Sequence, residues 1–146
     1  AVVLDGRPGI VGRGGADGAH LTGIAAFRDA ASSLKPDRIA GCGGLTTRHD
    51  AMLAAESGAD YVMFGEPDEG GFRPALDAIL ERVSWWAEVF EAPCVAYAAN
   101  ADEMAPLAQA GADFVAVGDF IFSDPRGIAR AVSDAAEGLR MPEVAA

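Results

Sequence analysis

Six short segments hold the polar side chains best placed to act together: "LDGRPG" from Leu4, "HLTGIA" from His20, "GCGGLTTRH" from Gly41, "FGEPDEGG" from Phe64, "YAANAD" from Tyr97 and "VGDFIFSDP" from Val117. Their candidates are Asp5, Arg7, His20, Thr22, Glu66, Asp68, Glu69, Asn100 and Asp119. Glu66, between Gly65 and Pro67, is a carboxylate on a stiff stretch of backbone, suited to acid/base work. His20 titrates near neutral pH and reads either as a base or as a hydrogen-bonded structural group. Asp68 and Glu69 read as a solvated loop tip, and His49 as solvated. In "GCGG", Gly43 and Gly44 can offer backbone amides to a phosphate. The loop matches neither a P-loop nor a full dinucleotide fingerprint, and the chain shows no Cys/His metal spacing and no nucleophile elbow.

What positions these segments is a sixfold alternation. Strand-like runs occur at Val2–Asp5, Gly18–Leu21, Arg38–Gly41, Tyr61–Gly65, Cys94–Ala98 and Phe114–Val117. Helix-like runs follow at Pro8–Gly14, Ile24–Leu34, Thr46–Ser57, Pro74–Phe90, Ala101–Ala110 and Pro125–Leu139. Strands alternating with helices predict an α/β fold, a parallel sheet with right-handed crossovers. Thr46 or Thr47 is expected to cap one helix, and Asp124 with Pro125 to open the last.

The tripeptide Gly-Ala-Asp occurs three times, at Gly15, Gly58 and Gly111, each time between a helix and the next strand. Glycine permits the turn and aspartate can bond backbone at the strand entrance. Asp17, Asp60 and Asp113 therefore belong to the face away from the chemistry. All six polar segments follow strand C-terminal ends and are expected to converge on one mouth.

Bulk properties narrow the partners. A net charge of −11, with one lysine and ten arginines, argues against nucleic acid or an anionic membrane surface. No apolar stretch approaches the roughly 18–20 residues of a membrane span, and the start does not read as a signal peptide. Opening on Ala1 and an apolar run, the chain is expected to lack upstream sequence. Cys42 and Cys94 are expected at opposite ends of the sheet, unable to bond, which suits a reducing cytoplasm. On the longest helix Leu76, Ile79, Leu80, Val83, Trp86, Ala87 and Phe90 form one stripe. Trp85 projects elsewhere, either incidentally or as a face for a homo-oligomer.

The stretches "GADGAHL", "RIAGCGGLTTRHDAMLAAESGADYVMFGEP" and "APCVAYAANADEMAPLAQAGADFVAVGDFIF" together resemble the thiamine-phosphate synthase and thiazole tautomerase family of TIM barrels. The resemblance covers most of the chain and matches βα units three to eight, making residues 1–146 a single partial barrel domain, six of eight units. About 50–60 residues of two upstream units are then missing on the usual barrel scale. The resemblance implies a transferase of thiamine biosynthesis that joins a pyrimidine pyrophosphate to a thiazole phosphate with Mg²⁺. It implies Asp5 as the remaining metal aspartate, though Asp5-Gly6 stands where the family has Asn-Asp. Thr22, Gly23, Ile24 and Ala25 replace the second metal region, and Gly43 replaces a serine. The family's Thr-x-Thr-Lys has no counterpart in "EPDEGGFRP". Phosphate-binding positions fall on Gly43, Gly44, Ala99, Asn100, Gly118 and Asp119, with Ala98-Ala99 replacing a glycine pair.

Three readings follow. One is a thiamine-phosphate-synthase-like enzyme acting on a phosphorylated small molecule, with His20 and Glu66 as acid/base groups. The others are a non-catalytic barrel that binds a ligand or partner, and a same-fold enzyme with a changed substrate.

Overall fold

The computed structural model describes residues 1–140. Six strands, β1 (Val3–Asp5), β2 (Gly18–Thr22), β3 (Ile39–Gly43), β4 (Tyr61–Phe64), β5 (Cys94–Tyr97) and β6 (Phe114–Ala116), form one sheet in chain order. Every pairing is parallel. The helices between them are α1 (Val11–Gly14), α2 (Ile24–Leu34), α3 (Arg48–Glu56), α4 (Leu76–Val89), α5 (Met104–Gln109), α6 (Asp119–Phe122) and α7 (Ile128–Gly138). The sheet curls as part of a barrel, and among the described residues β1 pairs only with β2 and β6 only with β5.

Alternation divides the strands between two faces. Ala19, Leu21, Ala40, Cys42, Val62, Phe64, Cys94 and Ala96 are buried against the helices, with Phe64 edge-on to Trp86 of α4 at 5.8 Å. The opposite face carries His20, Tyr61, Met63, Val95 and Tyr97, all only partly buried. Small residues on the helix-facing side let α2 and α3 pack closely through Ala30, Ala51 and Ala54.

The threefold tripeptide has one structural explanation. The Asp17, Asp60 and Asp113 carboxylates accept from the amides of Val2, Ala40 and Cys94, at 2.6, 2.8 and 2.8 Å. In return the amide of each aspartate donates to the carbonyl of that same residue, at 2.8–2.9 Å. Each aspartate thus locks its own strand entrance to that of the preceding strand. Gly15, Gly58 and Gly111 have φ of 70°, 91° and 113°, the left-handed turn that lets each helix end there.

Three sequence expectations need correction. Cys42 and Cys94 lie level, both in register with Val62, rather than at opposite ends. Two strand spacings, about 10 Å, still separate them, and both are free thiols. Most of "GCGG" is strand, since β3 runs to Gly43. The last helix begins at Ile128, not Pro125, because the Asp124 carboxylate folds a turn onto the Arg126 amide and guanidinium. Trp85 is partly covered within the chain: it lies under the Arg48 guanidinium, 4.9 Å from its ring centre, and against Trp86 and Phe90. Thr47 does cap α3, accepting from the Asp50 amide at 3.0 Å.

Candidate active site

The site begins with a single row of the sheet. Parallel register places Asp5 beside His20, His20 beside Gly41 and Gly41 beside Tyr61. Gly41 has no side chain, so the Tyr61 ring lies across it; a Cβ there would collide with the ring. The Tyr61 hydroxyl reaches His20 Nδ1 at 2.8 Å, with the two rings stacked 11° from parallel.

Glu66 joins this row from the loop after β4. Its Oε1 accepts from the Gly44 amide, and its Oε2 is enclosed with no hydrogen-bond partner among the described residues. A Cβ on Gly43 would stand 2.7 Å from His20 Nε2 and 2.8 Å from Glu66 Oε1. Gly43 is therefore the floor on which histidine and carboxylate meet. Gly44, at φ +64°, turns the chain so that its amide faces Glu66.

Burial sets the protonation states. It lowers the His20 pKa, with Glu66 and then Asp5 opposing, so the ring favours its neutral form. Tyr61 is pushed up to about 12 by burial first, and by the charges of Asp5 and Glu66 as well. Cys42 is likewise raised to about 12 by burial, then by Glu66 and Asp50, and stays a thiol.

The mouth opens into a cleft of about 1500 Å³ bordered by Asp5, His20, Glu66, Tyr97 and Arg82. Not all the phosphate positions keep free amides. The Ala99 amide donates to Glu103 Oε2 at 2.8 Å, and the Asn100 side chain accepts from the Glu103 amide at 3.2 Å. The neighbouring Ala98 amide donates to the Ala116 carbonyl within the sheet. Gly118 packs against the Tyr97 hydroxyl and precedes α6, where Asp119 is exposed.

For Mg²⁺, no group of three or more His, Cys, Asp or Glu side chains among the described residues could hold an ion. Asp5 is a single exposed carboxylate at the end of β1. These residues do not fit a metal held by the protein alone.

Sequence reasoning missed Arg73, the one cation between Arg48 and Arg82. Its guanidinium donates to the carbonyls of Gly65 and Tyr97, at 2.6 and 2.7 Å, and to both oxygens of Glu103. It ties the loop bearing Glu66 to the end of β5. A lone arginine in an acidic loop was the available signal.

Known proteins share this architecture. The structure is similar to a thiamine phosphate pyrophosphorylase from Pyrococcus furiosus, with a TM-score of 0.73 at 21% identity over 94% of this chain and 66% of that one. It also resembles orotidine 5′-phosphate decarboxylase from Pyrococcus horikoshii, at a TM-score of 0.65 and 14% identity, covering 92% of this chain and 66% of that one. These likenesses concern the fold. In sequence the chain is 42% identical over 137 residues to a thiamine-phosphate synthase of Rhodospirillum centenum, covering 92% of this chain and 66% of the relative. It is 38% identical to that of Erythrobacter litoralis, covering 82% of this chain and 59% of the relative. The chain therefore spans less than two thirds of these relatives' lengths. The family model for thiamine monophosphate synthase matches residues 1–121, and with relatives of this identity the chain belongs to that family.

Proposed function

We propose that the whole protein is a thiamine-phosphate synthase, joining a pyrimidine pyrophosphate to a thiazole phosphate and releasing pyrophosphate. The observation that carries this reading is the family match across residues 1–121, which includes the whole row from Asp5 to Tyr61 and the Glu66 loop. In this reading the ligands occupy the mouth at the strand C-terminal ends, the active face of parallel barrels.

The chain's own residues have definite tasks there. A protonated Tyr61 hydroxyl can donate to His20 Nδ1, which leaves the ring proton on Nε2 beside Glu66. His20 and Glu66 then present a donor and an acceptor side by side over Gly43. The enclosed Glu66 Oε2 bears the cost of an unmatched buried acceptor.

Calorimetric titration with each phosphorylated precursor tests the reading. Saturable binding of either supports it. If neither binds the chain, and full-length protein forms no thiamine phosphate from both, the synthase reading is wrong.

A second reading has its own observation. Two amides available to phosphate, those of Gly44 and Ala99, already hold carboxylates of this chain. That arrangement suits a non-catalytic barrel, which would bind a ligand without releasing pyrophosphate from it.

A further inference from the structure

The carboxylate on the Ala99 amide sits in a site built for an anion. Glu103 Oε2 receives the Ala99 N–H at 2.8 Å and Arg73 Nη2 at 2.8 Å, and Glu103 Oε1 receives Arg73 Nη1 at 3.0 Å. A guanidinium fork and a backbone amide thus converge on one pair of oxygens, the donor set that phosphate and carboxylate groups share. Arg73 is fixed from behind by the Gly65 and Tyr97 carbonyls. Its guanidinium lies 6.0 Å from the centre of the Tyr97 ring. The arginine and glutamate side chains are only 15% and 12% exposed, unlike an ordinary surface pair. Gly65 and Tyr97 also border the cleft, so this site adjoins the mouth.

We propose that Glu103 is a specificity-determining residue: an internal anion that fills a phosphate subsite made by Arg73 and the Ala99 amide, and so sets its affinity. The proposal rests on the reading that the mouth takes a phosphorylated ligand. Only the Glu103 side chain has to leave, because the bond to the Asn100 side chain is donated by the Glu103 backbone amide. An entering phosphate dianion meets Arg73 with more charge than the departing carboxylate, which regains its hydration in water. Glu103 thereby favours ligands able to deliver a dense negative charge and rejects weaker anions.

Inorganic pyrophosphate is the probe, titrated calorimetrically into the native chain and into Glu103→Gln, Glu103→Ala and Glu103→Ala/Arg73→Met. Glu103→Ala is expected to bind about tenfold tighter or better, the scale of removing one like charge at close range. The double variant is expected to lose that gain. Equal affinity of native and Glu103→Ala protein, with circular dichroism unchanged, overturns the proposal. Should the variants fail to fold, the native chain decides: the ¹⁵N–¹H signal of Ala99 shifts saturably with pyrophosphate if Glu103 is displaced, and its staying fixed overturns the proposal. Thiazole phosphate binding while Ala99 stays fixed removes the role of Glu103 but keeps the synthase reading. An Ala99 response to pyrophosphate, with neither precursor bound, does the reverse.

Discussion

Gly43 shows how much of the candidate site depends on an absent side chain. A Cβ there would lie within hydrogen-bonding distance of both His20 Nε2 and Glu66 Oε1, far too near for carbon. Gly43→Ala should push the two groups apart and cost about 1–3 kcal/mol of stability by overpacking. Precursor affinity should fall further than that of a control such as Gly12→Ala, where nothing lies within 4 Å. Denaturant melts and calorimetry on both variants check this. His20 supports a prediction about pH. Its folded pKa lies below the ordinary 6.5, chiefly through burial, so the unfolded chain binds the proton more readily. Stability should therefore fall as pH drops below 6.5, and His20 should add no slope above that value. His20→Asn should flatten the acid limb of denaturant midpoints measured between about pH 5 and pH 8. An unchanged slope would place the responsible proton elsewhere.

Among the elements, the strand entrances and the loop after β4 have opposite duties. The Asp113 carboxylate holds the Cys94 amide at the closed end of the sheet, remote along the strand from the mouth. Asp113→Ala should lower stability by about 1–3 kcal/mol through the lost charge-assisted bond, with precursor affinity unchanged. Thermal melts alongside calorimetry test it, and weaker binding at unchanged stability would contradict the structural role. Arg73 should behave differently, because it joins Gly65, Tyr97 and Glu103 beside the site. Arg73→Met should cost about 3 kcal/mol, the range for breaking a shielded ion pair, and should loosen the loop that carries Glu66. Arg73→Lys restores charge without the fork and should recover only part of either effect. Hydrogen exchange at Glu66 and neighbouring amides would report the loop directly.

At the scale of the whole molecule, the six described strands leave β1 and β6 each with one partner, and Val2 and Phe114 are each 63% exposed. A mouth bounded by two such edges admits water, which would penalise the transfer chemistry proposed for it. The 146-residue chain alone is therefore expected to form no thiamine phosphate above background, as followed by chromatography with both precursors and Mg²⁺ present. Product at a robust rate would show that the open mouth suffices. The sequence by itself determined the parallel α/β architecture, the family and the structural part of the Gly-Ala-Asp repeat. The architecture and the repeat rest on local turn chemistry and hydrophobic period, which neighbouring residues carry, whereas the family was legible only through the resemblance of longer motifs. It also singled out His20 and Glu66 one by one. Their meeting over Gly43, and the link from Tyr61 to His20 across Gly41, were decided only by register between strands up to 41 residues apart. The capture of the Gly44 and Ala99 amides by Glu66 and Glu103 was likewise invisible, even though Glu103 is a near neighbour of Ala99. A side chain selects its partner by the three-dimensional competition among donors, and Arg73 enters that competition from 30 residues away.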